Sequence, residues 1–366
     1  MSSLIVAVGG GGDAITSAAL PGILGLAGSP VVMTYSWDRL MIDPMPGPRS
    51  AAEFTGLSAI GGGAFEVGAE TTPVPPAGSS LPRLAAELPA RLVLLDPTAG
   101  AIGMAEQIRA TAAKFRLDSL VLVDVGGDVL TNGDDPGLRS PLADQLALAA
   151  CARSGLPGRL LIAGLGLDGE VPHDVLVTRL ADLHAESLPA LAGPQVDAIR
   201  HVFDWHPSEA SGLLAAAASG RRGSVEVRDA GDHVVLDAST TAIASVGLHP
   251  AVAVTPSRHL VDTGSLDEAE KLTYEITGIS EIAYETKKAE RRSTSTVHVP
   301  NDDDLPVIDE HARTAADRGA DFISVRRLSE LLGATTLDTF TELSRLLASH
   351  RPESYEPSIY RTRRNG

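Results

Sequence analysis

An α/β fold is predicted for this chain: a Rossmann-like, doubly wound and mainly parallel sheet, followed by a mixed, mostly helical C-terminal extension. Three observations predict it. Apolar runs recur at Leu4–Val8, Val31–Tyr35, Leu92–Leu95, Leu120–Val123 and Leu160–Ala163. They are continuous rather than alternating, as strands covered on both faces require. Amphipathic stretches lie between and after them, at Ala105–Phe115, Pro141–Ala152 and Val175–Leu188, which is the strand-then-helix alternation of parallel sheets. The first run also passes straight into Gly9-Gly10-Gly11-Gly12-Asp13 and then helix formers. In such a strand–turn–helix entry, glycine allows close backbone approach and the helix points free amides at an anion.

Each strand is followed by residues that carry chemistry. After the first come the four glycines and Asp13; Gly9, Gly11 and Ala14 fit G-x-G-x-x-A, a fingerprint too short to name a cofactor. After the second come Trp37, Asp38 and Arg39, then the Gly- and Pro-rich loop Asp43–Ser50. Asp38 occupies the place of the ribose-binding acid of dinucleotide sites, though further from the glycines than is usual. A second loop of that composition, Thr71–Ser80, reads with it as a surface excursion. Asp96 follows Leu92–Leu95, Asp124-Val125-Gly126-Gly127-Asp128 follows the next run, and Gly164-Leu165-Gly166-Leu167-Asp168-Gly169-Glu170 the last. Ser140 and Pro141 read as the cap and first residue of a helix, which leaves Arg139 either to pair with Asp124 or Asp128 or to clamp an anion.

From Gly223 the pattern changes. Ser224–Arg228 and His233–Leu236 alternate across Asp229–Asp232 and read as a hairpin. Ser265–Arg292 reads as one long charged helix, Asn301–Asp304 as a break, and Phe322–Val325 as a further strand. The expected division is a ligand-binding domain over residues 1–245 and an extension over 246–366 packed on it.

Composition narrows the partners. A net charge of −17 over 366 residues excludes nucleic acid as a general partner, and Lys287, Lys288, Arg291 and Arg292, interspersed with acids, read as a solvated helix face. The single cysteine, Cys151, permits no internal disulfide and sits in an apolar stretch as a core residue. Neither a secretory pattern nor a run of about 20 apolar residues occurs. The expectation is a cytoplasmic protein without membrane contacts, and a homo-oligomer is compatible. No Walker or G-x-S-x-G sequence is present, which removes support for P-loop and acyl-serine chemistry.

Carboxylates gathered at one sheet edge repel unless protons or a cation offset them, and oxygen-only ligands suit Mg²⁺ or Mn²⁺. The expected function is therefore a metal-assisted hydrolase or transferase acting on a phosphorylated or nucleotide-like small molecule. Gly9, Gly10, Gly11, Gly12, Asp13, Asp38 and Arg139 form the binding set. Asp124, Asp128 and Asp168 hold the metal, and Asp124, Asp128, Glu170 and His206 carry catalysis. An NAD(P)-dependent oxidoreductase using the same glycines with Asp38, and a non-catalytic nucleotide-binding protein, are the alternatives.

The segments Val8–Asp13, Asp43–Pro48, Asp124–Asp128, Leu138–Asp144, Gly164–Glu170 and Glu209–Arg228 together resemble the DUF1152 family, over roughly the first 230 residues. The resemblance groups these motifs and implies no particular reaction.

Overall fold

Long runs of Val, Ile and Leu build the centre of a nine-stranded sheet. The computed structural model describes residues 2–26, 28–228 and 231–363. Strands β1 (Ser3–Ala7) and β2 (Val31–Thr34) open the large sheet, and the small pair β3 (Phe54–Thr55) and β6 (Thr72–Pro73) brackets β4 (Ser58–Gly61) and β5 (Ala64–Val67). Next come β7 (Arg91–Leu94), β8 (Ser119–Val125), β9 (Gly158–Ala163) and β10 (Glu186–Leu188). The hairpin β11 (Gly223–Glu226) and β12 (His233–Leu236) leaves the sheet, β13 (Ile243–Gly247) returns to it, and β14 (Phe322–Ser324), β15 (Tyr355–Glu356) and β16 (Ile359–Arg361) complete a second one.

The large sheet runs β10-β13-β9-β8-β1-β2-β7-β5-β4. Its centre, from β9 to β7, is wholly parallel, and antiparallel strands extend both edges. The chain steps outward from β1 through β2 to β7, then restarts at β8 on the other side of β1. A crevice opens between the carboxyl ends of two neighbouring strands where such a reversal occurs.

Alternate residues of the parallel strands enter separate cores, because successive side chains point to opposite faces. Ile5, Val32, Leu92 and Val121 pack with Ile15, Leu84 and Leu213 of helices Gly11–Ala19, Leu81–Glu87 and Glu209–Ala218. Leu4, Val31, Val93 and Leu120 pack with Met104, Ile108 and Leu146 of helices Gly100–Phe115 and Pro141–Arg153. Cys151 is buried in this second core.

The second sheet, β12-β11-β14-β16-β15, takes strands from both sides of residue 245. Val225 and Phe322 join the first core, while Ile323 and Tyr360 join a third one with Ile308, Leu328 and Phe340 of the C-terminal helices. Residue 245 itself lies inside β13 of the large sheet. The hairpin forms as read, with Asp229 and Ala230 of its turn outside the described residues.

Several expectations are corrected. The charged segment is two helices, Leu266–Thr277 and Glu281–Ser293, because Gly278 ends the first at φ 72° and Ser280 caps the second by accepting from the Ala283 amide. The stretch Val175–Leu188 is helix only to Asp182, and His184, at φ 52°, turns the chain into β10. The loop Asp43–Ser50 folds inward, with Asp43 fully buried and paired at 3.0 Å with Arg49. Among the described residues, no helix is long and apolar enough to cross a membrane.

Candidate functional site

The reversal between β1 and β8 sets the glycine run beside the Asp124–Asp128 turn, and both line a cavity of about 640 Å³. Much of the demand for glycine here comes from the protein itself. A Cβ on Gly10 would collide with the Trp37 carbonyl oxygen, and one on Gly12 with the Ser208 hydroxyl. The Gly9 amide donates to Asp13 Oδ2 at 3.1 Å. Gly126, at φ 136°, leaves room that the Asp168 carboxylate fills.

Carboxylates converge on the cavity floor. Asp13, Asp124 and Asp144 each offer an oxygen, and these oxygens lie within 4.8 Å of one another. Asp124 is 2% exposed and its Oδ2 has no hydrogen-bond partner. Asp168 Oδ1 accepts from the Glu170 amide at 2.6 Å, and its Oδ2 is likewise buried and unpartnered. Burial first, then repulsion between neighbouring carboxylates, favours the protonated forms. The Asp13 and Asp168 carboxyls are pushed up to about 7, and those of Asp124, Asp128 and Asp144 well above the usual range. Among the described residues this trio is the one carboxylate group with metal-ligand spacing, so Asp13 and Asp144 stand where Asp128 and Asp168 were expected. Asp144 escapes sequence reading because an acid in a helix's first turn already has an ordinary role.

Two further acids hold that helix. Glu170 accepts from the Arg139 amide at 2.7 Å, the Ser140 amide at 3.0 Å and the Ser140 hydroxyl at 2.8 Å. Glu281, from the helix Glu281–Ser293, accepts from the Leu142 amide at 3.0 Å. Both satisfy the open amides at the start of Pro141–Arg153. Glu170 is thus a helix cap with both oxygens engaged, rather than a free proton carrier.

Other expected residues have structural partners. Both oxygens of Asp38 are taken by Ser80, through its amide at 2.9 Å and its hydroxyl at 2.6 Å, which leaves no ribose clamp. His206 Nδ1 accepts from the Ser208 amide at 3.2 Å, and its Nε2 is buried without a partner. Burial, with Arg39 and Arg83 nearby, lowers its pKa to about 3. Burial thus favours the neutral ring near pH 7, which is poorly matched to the acid–base role expected of it. Arg139 lines the cavity and, among the described residues, makes no ion pair with Asp124 or Asp128.

The cavity also has a cationic wall, which meets the acidic floor where Arg228 lies 3.5 Å from Glu170. Arg39, Arg228 and Arg326 line it together with Lys287, Lys288, Arg291 and Arg292, so the basic face of the charged helix also borders the cavity: Lys287 and Arg291 are exposed as expected, while Lys288 and Arg292 are half-buried in its lining. Glu281 and Glu285 make it so by anchoring the helix, since Glu285 Oε2 accepts from Trp37 Nε1 at 3.0 Å and the Gly47 amide at 2.8 Å. Lys288 and Arg292 follow one and two turns later on that face. Proximity of Arg326, then burial, lowers Arg39 to about 10, and burial first lowers Lys288 to about 8. No local pattern marks this wall, because its residues come from four separated segments.

A sequence model described as a protein of unknown function, DUF1152, matches residues 4–289, further than the recognisable motifs reach. No curated protein and no solved structure matches the chain.

Proposed function

This chain belongs to the DUF1152 family, and we propose that it is a metal-assisted hydrolase or transferase acting on a phosphorylated or nucleotide-like small molecule. One observation carries the reading: a carboxylate trio, with Asp124 and Asp144 buried and an unsatisfied oxygen on Asp124, lines a cavity that is also lined by cations. Ligands and their counter-charges both have a place there. The volume falls in the range of small-molecule sites.

Asp13, Asp124 and Asp144 would hold the ion, and their all-oxygen donor set fits Mg²⁺ or Mn²⁺ better than zinc. Once bound, such an ion polarises a phosphoryl oxygen or lowers the pKa of a water. Arg39 and Arg228 orient the anionic part of the substrate. Asp168, near 7 with an unpartnered oxygen, is the group suited to proton exchange. His206 contributes a neutral N–H at most. The Rossmann-like, doubly wound description belongs to the same reading and is supported by the outward course of strands on both sides of β1. A cytoplasmic location fits the lone buried thiol.

The test uses EDTA-stripped protein titrated with Mn²⁺ by electron paramagnetic resonance, followed by turnover of phosphorylated small molecules with Mg²⁺ or Mn²⁺. Binding and turnover that both vanish in Asp124→Asn are expected. Nucleotide binding without turnover would leave the non-catalytic alternative, and Mn²⁺ that stays free in solution would overturn the metal role.

A further inference from the structure

We propose that the cationic wall is a subsite for one dianionic phosphoryl group, so that the substrate is a phosphate monoester or carries a terminal phosphate, and is not a diester. The inference rests on reading the cavity as a substrate site, but it does not depend on the metal.

The wall's cations are underpaired. Arg326 lies 3.8 Å from Glu209 and 3.4 Å from Glu330, Arg292 lies 3.9 Å from Glu330, and Arg228 lies 3.5 Å from Glu170. Elsewhere, Arg318 meets Glu226 at 2.7 Å, so close pairing is available to this fold and absent from the wall. Among the described residues, Arg39 and Lys288 make no side-chain hydrogen bond or ion pair, and Arg292 Nη1 is buried without a partner. Arg39 is exposed and lines the cavity, so its guanidinium is accessible to a ligand there.

Charge counting sets the ligand. The wall's seven cations, from Arg39 to Arg326, share the four carboxylates Glu170, Glu209, Glu285 and Glu330, an excess that a doubly charged anion offsets better than a singly charged one. A phosphate monoester is close to doubly charged near neutral pH, since its second pKa is about 6, whereas a diester is singly charged. Guanidinium forks match phosphate oxygens in pairs, and several converge here. Arg228 also holds φ 50°, a conformation that costs a non-glycine residue. Strain of this kind is retained where it aims a side chain.

The experiment is calorimetry on the full, metal-free chain at about pH 7.5, where inorganic phosphate is mostly dianionic. Phosphate, sulfate and methyl phosphate should bind competitively, with dimethyl phosphate weaker by about tenfold or more. Arg39→Met and Lys288→Gln should each weaken phosphate by about tenfold while Mn²⁺ binding persists. The exposed Arg313→Ala should change nothing. Both variants are taken forward only with wild-type circular dichroism; if Arg39→Met misfolds, Lys288→Gln decides. No phosphate binding by the wild type, equal affinity in the folded variants, or dimethyl phosphate binding as tightly would overturn the inference. Loss of Mn²⁺ binding with phosphate binding intact would instead fault the metal reading alone.

Discussion

Replacing Asp13 by asparagine should stabilise the metal-free protein, and by an amount that depends on pH. The Asp13 carboxyl titrates near 7 against an ordinary value of 3.8, and each unit is worth about 1.36 kcal/mol. A raised folded-state pKa means the unfolded chain has lost this proton while the native state still holds it. Stability is therefore complete below 3.8, declines as pH rises, and reaches its full loss above 7. Asparagine imitates the protonated form and keeps an oxygen to accept the Gly9 amide. The gain should be roughly 2 kcal/mol at pH 5 and about 4 kcal/mol at pH 8. Urea unfolding in EDTA at both pH values measures it. Mn²⁺ should raise the wild-type midpoint at pH 8 and leave Asp13→Asn almost unmoved. A variant that is less stable at pH 8, or whose gain ignores pH, would refute the argument that ionised carboxylates oppose one another here.

Three further outcomes follow from single contacts. Gly10→Ala drives a Cβ into the Trp37 carbonyl oxygen and should cost about 1–3 kcal/mol, while Gly22→Ala, with nothing within 4 Å, should be close to neutral; thermal unfolding compares them. His206, held near 3, should show no imidazole titration by NMR between about pH 8 and 5. Its lowered pKa removes stability as pH falls below 6.5, and an NMR midpoint near 6.5 would contradict the burial argument. Arg318→Ala leaves the buried Glu226 the Gly231 amide at 3.3 Å but takes away its close cation, and should destabilise by about 3 kcal/mol in urea titrations.

The parallel strands were legible because both of their faces are covered, which forces uninterrupted apolar runs such as Leu120–Val123. The short antiparallel β10 and β13 were not, since edge pairing places little constraint on three to five residues. At the site, Asp124, the penultimate residue of β8, and Asp168, beyond the end of β9, were readable from their place at strand ends, a local property. Asp144 was hidden by an ordinary first-turn role, and Glu281 by a sequence separation of 139 residues from the Leu142 amide it accepts. Gly278 with Ser280 was a visible stop-and-restart signal inside the supposed single helix. Of the basic residues after it, Lys287 and Arg291 are exposed as read, while Lys288 and Arg292 are half-buried against the cavity, because charge on a helix face says nothing about what that face meets.

The two walls of the cavity arise in different ways, and this bears on how the site is made. The acidic floor comes from the helix Gly11–Ala19, the end of β8 and the helix beginning at Pro141, all inside residues 4–289 covered by the family match. The cationic wall is split, since Arg292 and Arg326 lie beyond that span. Yet the C-terminal part is not a detachable addition: β14 pairs with β11, and Arg318 neutralises the buried Glu226 on β11. Glu281 and Glu285 tie the intervening helix to the Pro141 helix and to Gly47. Docking that helix therefore does two things at once, capping the element that carries Asp144 and bringing Lys288 over the cavity. The floor alone is a set of opposed carboxylates at the end of a sheet. Only with the second wall in place does the chain hold both signs of charge around a space the size of a small molecule.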